Sequence, residues 1–206
     1  MKLYFARHGE TESNLQKRVG CFGDRLTDNG RVQARQLAAR VAGEAIDLII
    51  ASPYVRTKET AGIIAEVIGK DVLENALLAE KKWPGEIKGK LLNDPEVEKI
   101  FDLMREKNNL EPDWHYGDEE NFSDIKKRAE NFIGYVSGLG EKNILAVFHE
   151  YFIKAVIAAM IFGDKLTFDI FRSFFHSTCL VNTSLTICAK GQAVWKLVTL
   201  NNLPKS

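Results

Sequence analysis

Cysteine is scarce in this sequence. Cys21, Cys179 and Cys188 are the only three; they show no metal-ligand spacing, and an odd number cannot all pair. A disulfide framework and a cysteine-based zinc site are both excluded, and the expected setting is reducing and cytoplasmic. Cys21 lies close to the N-terminal motif described below, so its thiol is a candidate for a site there. The plainer reading is a small apolar residue in a loop. No charge of one sign is in surplus, since 28 Lys and Arg balance 28 Asp and Glu. Nucleic acid and acidic membrane surfaces both call for a basic excess that this chain lacks, so neither is an expected partner. A local basic pocket around a small anion remains compatible with that balance. Long apolar runs are missing too. The longest, Ala155 to Phe162, is far below the roughly 20 residues of a membrane span. Met1 to Ala6 leads at once into Arg7-His8-Gly9-Glu10, which does not read as a secretory signal.

What is present has the balance of an ordinary globular protein: 45% hydrophobic and 27% charged residues in a length of 206. That suffices for one domain with a sizeable core, expected to span 1–206. Lys2 to Ala6 reads as a short buried strand ending at Arg7. Leu26-Thr27-Asp28-Asn29-Gly30 is a turn and helix start, followed by Val32, Leu37 and Val41 at helical spacing. Asp47 to Ala51 is a second strand; Ser52-Pro53 breaks it and opens a helix from about Tyr54 to Ile68, closed by Gly69. The stretch from Glu80 to Gly117 holds three of the five prolines and many charges. It reads as an excursion over one end of the sheet, with a helix at Pro95 to Lys107. A helix at Phe122 to Leu139, a strand at Asn143 to Phe148 and a buried helix at about Tyr151 to Phe162 follow. Two closing strands, Leu185 to Ala189 and Val194 to Leu200, flank a turn at Lys190-Gly191-Gln192.

Strands that alternate with helices and are continuously apolar predict an α/β fold. The expectation is a three-layer sandwich, with a mostly parallel central sheet and helices on both faces. Ligands of such sheets bind beyond the carboxyl ends of the strands. Three strands end on reactive residues: Arg7-His8, Ser52-Pro53 leading to Arg56, and His149. Each alone has a bland reading, as a polar strand end, a solvated helix arginine or a hydrogen-bonded histidine. Together, two arginines and two histidines at one sheet edge make an anion site. Guanidinium groups stay charged and offer planar forks of donors matched to phosphate oxygens. An imidazole there can attack phosphorus and hold the phosphoryl group covalently. The leaving alkoxide then needs a proton, which a carboxyl group with a raised pKa would supply.

These residues stand in a recognisable order. Arg7-His8-Gly9-Glu10-Thr11 is followed by Asn14, and then by Asp24-Arg25-Leu26-Thr27-Asp28-Asn29-Gly30. Ser52-Pro53 to Arg56, Thr60 and Ala61 come next, then Glu120 to Asp124 with Arg128, Val147-Phe148-His149, and Asn182-Thr183-Ser184-Leu185-Thr186. Along almost its whole length the sequence resembles the histidine phosphatase superfamily, which includes the phosphoglycerate mutases. The resemblance implies that His8 becomes phosphohistidine, that Arg7, Arg56 and His149 bind the phosphoryl oxygens, and that Asn14 adds a polar contact. Glu80 is similar to the family's proton donor. The residues after it, Lys81-Lys82-Trp83-Pro84-Gly85-Glu86, depart from the usual pattern and leave Glu86 as a rival acid.

Glu150 is a second departure, since many members have glycine after the second histidine. It adds negative charge beside the phosphate site unless it points away and offers only its backbone N–H; Lys81, Lys82 or Lys154 could offset it. Trp83, Phe22, Phe152, Phe174, Phe175 and His176 are candidate pocket walls, each with core packing as the alternative. The expected activity is a metal-independent phosphomonoesterase of the histidine acid phosphatase type. No cofactor is expected, the substrate is a small phosphorylated metabolite, and the chain is a monomer or a homodimer. The alternatives are a mutase and a non-catalytic phosphate-binding module. Mutases of the family usually carry a paired-arginine element in the excursion, where this chain has only Arg105.

Overall fold

The computed structural model describes residues 1–111, 113–191 and 194–203. Its strands are β1 (Lys2–Arg7), β2 (Leu48–Ala51), β3 (Val72–Glu74), β4 (Asn143–Phe148), β5 (Leu185–Lys190) and β6 (Trp195–Asn202). Its α-helices are α1 (Glu12–Leu15), α2 (Asp28–Val41), α3 (Val55–Ile68), α4 (Pro95–Leu110), α5 (Phe122–Gly138), α6 (Glu150–Phe162) and α7 (Phe168–Ser177). The strands form one sheet in the order β3-β2-β4-β1-β5-β6. The first four run parallel, while β5 is antiparallel to β1 and β6 to β5.

Alternation along the strands sorts the core into two layers. Leu3, Phe5, Ile144, Ala146 and Phe148 face α5 and α6. Tyr4, Ala6, Ile49, Leu145 and Val147 face α2 and α3. Both faces of β1 and β4 are therefore apolar, which is why these strands read as unbroken hydrophobic runs. Helix starts follow local chemistry. Thr27 caps α2 by accepting from the Gly30 N–H at 2.9 Å, and Asp94 caps α4 ahead of Pro95. Gly69, with φ of 65°, closes α3 in the left-handed conformation that glycine adopts without steric cost.

The α/β sandwich is as expected, and the differences lie in short or aromatic segments. β3 and α7 were not anticipated, and α4 runs to Leu110. Of the expected turn before β6, Gln192 lies outside the described residues. The excursion packs Val19, Ile87 and Val97 into a small core of its own beside Trp83 and Phe101. It is laced to the loop after α1 by Val19 N–H to Lys90 O at 2.9 Å and Leu92 N–H to Lys17 O at 2.8 Å. No described helix is long and apolar enough to cross a membrane.

Candidate active site

Parallel register brings the reactive residues together. Arg7 pairs with Phe148, and Ala51 with Val147. The chain then continues one step beyond each strand, with His8 N–H bonded to Phe148 O and Ser52 N–H to Val147 O, both at 3.1 Å. His8, Ser52 and His149 thus lie side by side at the carboxyl ends of β1, β2 and β4. Helix α6 begins directly after His149 and turns the positive end of its dipole toward the same place.

Gly9 follows the nucleophile candidate for a steric reason. A Cβ there would meet Gly30 O at 2.5 Å, and one on Gly30 would meet Glu10 O at 2.2 Å. The loop after β1 and the start of α2 pack backbone to backbone. Thr60 holds the loop from the other side, accepting from Gly9 N–H at 3.0 Å while donating to Arg56 O at 2.7 Å. Glu59 accepts from Leu26 N–H at 2.9 Å and pairs with Arg25. Arg56 and Thr60 share one face of α3, four residues apart, and serve the site and the loop, while Glu59 and Ala61 to either side serve the α2 approach and the core.

Arg56 is the hub. It is 4% exposed. Its Nε donates to His8 Nε2 at 3.0 Å, one Nη to His149 Nδ1 at 3.1 Å and the other to Cys21 O at 2.7 Å. These donations fix the two imidazoles as opposite tautomers. His8 Nδ1–H donates to Gly9 O at 2.7 Å, so Nε2 carries the lone pair. His149 accepts at Nδ1 and donates from Nε2–H to Ser52 Oγ at 2.8 Å. Burial, followed by the positive charge of Arg56, holds both histidines well below their ordinary pKa, with Arg7 a smaller contributor. Both are neutral, as a nitrogen nucleophile must be.

That neutrality has a cost at low pH. An unfolded histidine takes up a proton below about pH 6.5, and folded His8 and His149 do not. Stability is full above 6.5 and is lost as pH falls below it. The expected slope approaches about 1.4 kcal/mol per pH unit for each histidine. Urea unfolding between pH 6.5 and 5 tests this: His149→Gln should remove about half of the slope, and an unchanged slope would contradict it.

Arg7 Nη1 donates to Leu180 O at 2.5 Å and pairs with Glu150 at 2.8 Å. Its buried Nε has no partner, so the guanidinium retains a donor for an anion. Asn14 Oδ1 accepts from Thr11 N–H and from Asn182 Nδ2, both at 3.1 Å, which leaves its amide nitrogen for a ligand. Arg7, His8, Asn14, Arg56, Glu80 and Glu150 all line one cavity of about 210 Å³. Glu80 is half-buried there. Desolvation raises its pKa, opposed by its bond from Lys81 N–H and by Arg56 and Arg128. Glu86 lies elsewhere, exposed and accepting from the Tyr116 hydroxyl at 2.5 Å.

The charge of Glu150 is met by Arg7 and by Lys154, whose Nζ lies 2.8 Å from its second oxygen. Lys81 and Lys82, the other expected partners, pair with Glu119 and Asp118. Among the proposed wall residues, Trp83 and Phe175 line the 210 Å³ cavity. His176 lies at the edge of a second, adjoining one. Phe152 is core, Phe174 packs against the core away from the site, and Phe22 stacks outside on Tyr54. Cys21 contributes its carbonyl through Arg56, and its thiol does not line the cavity.

Two residues had no role in the sequence reading. Tyr54 sets its ring edge-to-face with that of His149, 4.8 Å between centroids, and 4.8 Å from Arg56 Cζ. Arg128 donates to Leu77 O and Ala79 O at 2.8 and 2.7 Å and forks onto Glu120, fixing the backbone that delivers Glu80. Only its place in a family motif marked Arg128; no signal marked Tyr54.

The sequence model of the histidine phosphatase superfamily (branch 1) matches residues 3–203. The chain belongs to that superfamily. The chain is 43% identical over 81 residues to a probable phosphoglycerate mutase GpmB of Serratia proteamaculans, a match covering 39% of the chain and 38% of that relative. Solved structures match far more of it. A phosphoserine phosphatase of Entamoeba histolytica, bound to 3-phosphoglyceric acid, is 26% identical with a TM-score of 0.78 over 98% of both chains. A mycobacterial glucosyl-3-phosphoglycerate phosphatase complexed with VO3 shares the fold, with a TM-score of 0.81 and 22% identity over 97% of this chain and 98% of that one.

Proposed function

We propose that this histidine phosphatase hydrolyses small phosphomonoesters through phosphorylated His8, with Glu80 as proton donor and no metal ion. The observation that carries the reading is the neutral His8 ring. Gly9 O orients it, and its Nε2 lone pair meets Arg56 in a cavity that Arg7 also lines, with His149 buried behind Arg56. Phosphoryl oxygens accept more strongly than an imidazole, so they would draw the guanidinium donors to themselves and leave the lone pair to phosphorus.

Nε2 attacks phosphorus, the P–O ester bond breaks, and the electron pair moves to the ester oxygen, which takes the proton of Glu80. Water, giving its proton to the Glu80 carboxylate, then attacks phosphorus. The P–N bond breaks, its electrons return to Nε2, and phosphate leaves. Arg7 and Arg56 would hold the equatorial oxygens, where charge accumulates, with Asn14 as an added donor; His149 would join them by turning its one N–H from Ser52 Oγ to a phosphoryl oxygen. The two guanidinium charges of Arg7 and Arg56 support a metal-independent, histidine acid phosphatase-type reaction. Glu150 would act on substrate through Arg7.

Hydrolysis is favoured over phosphoryl transfer to a second hydroxyl. The phosphate cavity has no paired-arginine element, and Arg105, the excursion's one arginine, is exposed and lines the adjoining cavity instead. The full-length structural matches described above are named phosphatases. A non-catalytic role is disfavoured because the nucleophile, the cations and an acid all meet in one cavity. A cytosolic location fits the free thiols.

The test is phosphate release from a panel of phosphomonoesters in EDTA, with native protein, Glu80→Gln and Glu86→Gln. Glu80→Gln is expected to lower kcat by about 10²–10⁴-fold and to abolish its fall at alkaline pH, because only the protonated acid serves the leaving group. Glu86→Gln should stay within about threefold of native. Loss on Glu86→Gln with Glu80→Gln active would contradict the assignment, and dependence of native activity on a metal would contradict the metal-free route.

A further inference from the structure

Beside the phosphate cavity lies a larger one of about 470 Å³. The two share Trp83, Leu92, Tyr151 and Phe175 as walls. Beyond those residues the larger chamber is closed by Phe101 and Met104 of α4 and by Phe168 and Phe171 of α7. Its volume and its largely apolar, aromatic walls are those of an organic-ligand site, with Lys81, Glu98, Arg105, Asn108, Arg172 and His176 as the polar lining. Three of those groups are committed to protein partners, Arg105 among them through Asp102. Lys81 pairs with Glu119 at 3.0 Å, and Asn108 spends its amide on Met104 O and Phe122 N–H at 2.7 and 2.8 Å. Arg105 and Arg172 are exposed at the edge.

The rings themselves are well fixed. Trp83 packs 5.2 Å from Phe101 and 5.6 Å from Tyr151, and Tyr151 lies 5.4 Å from Phe171. Lys154 braces the end of α7, donating to Phe175 O and Thr178 O at 3.1 and 2.8 Å. The same Lys154 reaches Glu150, which pairs with Arg7. The chamber wall and the phosphate site are thus tied by one chain of charges.

Resting on the phosphomonoesterase reading, we infer that this chamber receives the alcohol moiety of the substrate, and that the moiety is a planar apolar or aromatic group. Because Trp83 and Tyr151 line both cavities, the group on the ester oxygen of a phosphate bound near His8 would pass them into the chamber. A polyhydroxylated alcohol entering it would leave hydroxyl groups without partners among aromatic rings. A flat ring system would bury its faces against them.

Two pairs of probes separate the chamber from the chemistry. Within each pair the phosphorus group and the alkyl link are the same, so leaving-group acidity does not bias the comparison. Binding is measured with the non-hydrolysable 3-(2-naphthyl)propyl and n-propyl phosphonates. Turnover is measured with 2-(2-naphthyl)ethyl and ethyl phosphates. The naphthyl phosphonate is expected to bind roughly 100-fold more tightly, and kcat/KM for its ester should exceed that for ethyl phosphate by a similar factor. Met104→Trp, which fills the chamber, should cut both ratios at least about tenfold. Equal binding of the two phosphonates by native protein would overturn the inference whatever the turnover. A strong naphthyl preference in binding with no phosphate released from either ester would uphold the chamber and overturn the phosphatase reading.

Discussion

Replacing His8 by alanine is expected to lower kcat for any phosphomonoester by about 10⁴-fold or more, since it removes the nucleophile and a covalent route has no partial form. The substitution also strips Gly9 O of its donor and Arg56 Nε of its acceptor. A second variant, His8→Asn, keeps an amide donor of similar reach without an imidazole, and it should be equally inactive while unfolding near the native midpoint. Retention of activity within about tenfold of native by both variants would contradict the role of His8.

Arg56→Lys is expected to lower kcat/KM by about 10²–10³-fold, the usual loss on removing one donor of a preorganised oxyanion site. Charge is preserved in this substitution, so the loss would come from geometry. One planar guanidinium reaches His8, His149 and Cys21 O from three nitrogens, and a single ammonium cannot span the three. Inhibition by inorganic phosphate should weaken in parallel, because the same donors would hold product. A variant within about threefold of native on both measures would show that positive charge alone suffices there.

The sheet edge that gathers His8, Ser52 and His149 was legible because its physics is local. Ile144 to Phe148 is an unbroken apolar run only because both faces of β4 are covered, and the residue at its end must then lie at the sheet's ligand edge. The packing of Gly9 against Gly30 joins two distant segments backbone to backbone, a contact that local spacing did not reveal. By contrast, β3 is three residues on a sheet edge, too short to carry a period. Helix α7 did carry a signal, with Thr167 as its cap and Phe168, Phe171 and Phe175 at helical spacing. Of its phenylalanines, only Phe174 and Phe175 were singled out, each as a candidate pocket wall.

The contest between Glu80 and Glu86 could not be decided from spacing. What separates them is Arg128, which holds the Leu77 and Ala79 carbonyls from another helix, and Tyr116, which binds Glu86 outside the cavity. The neutralisation of Glu150 was half visible. Lys154 lies four residues on along the same helix, whereas Arg7 comes from a different strand.

The most direct test of the account is to trap the covalent intermediate. Native protein turning over a phosphomonoester is quenched in alkali within milliseconds, since phosphohistidine survives base, and its peptides are sequenced by mass spectrometry. The account predicts a phosphoryl group on His8, absent from His8→Asn and longer-lived in Glu80→Gln when the leaving group is acidic enough to depart unaided. A phosphoryl group on any other side chain, or phosphate release in a full burst with none on His8, would contradict it.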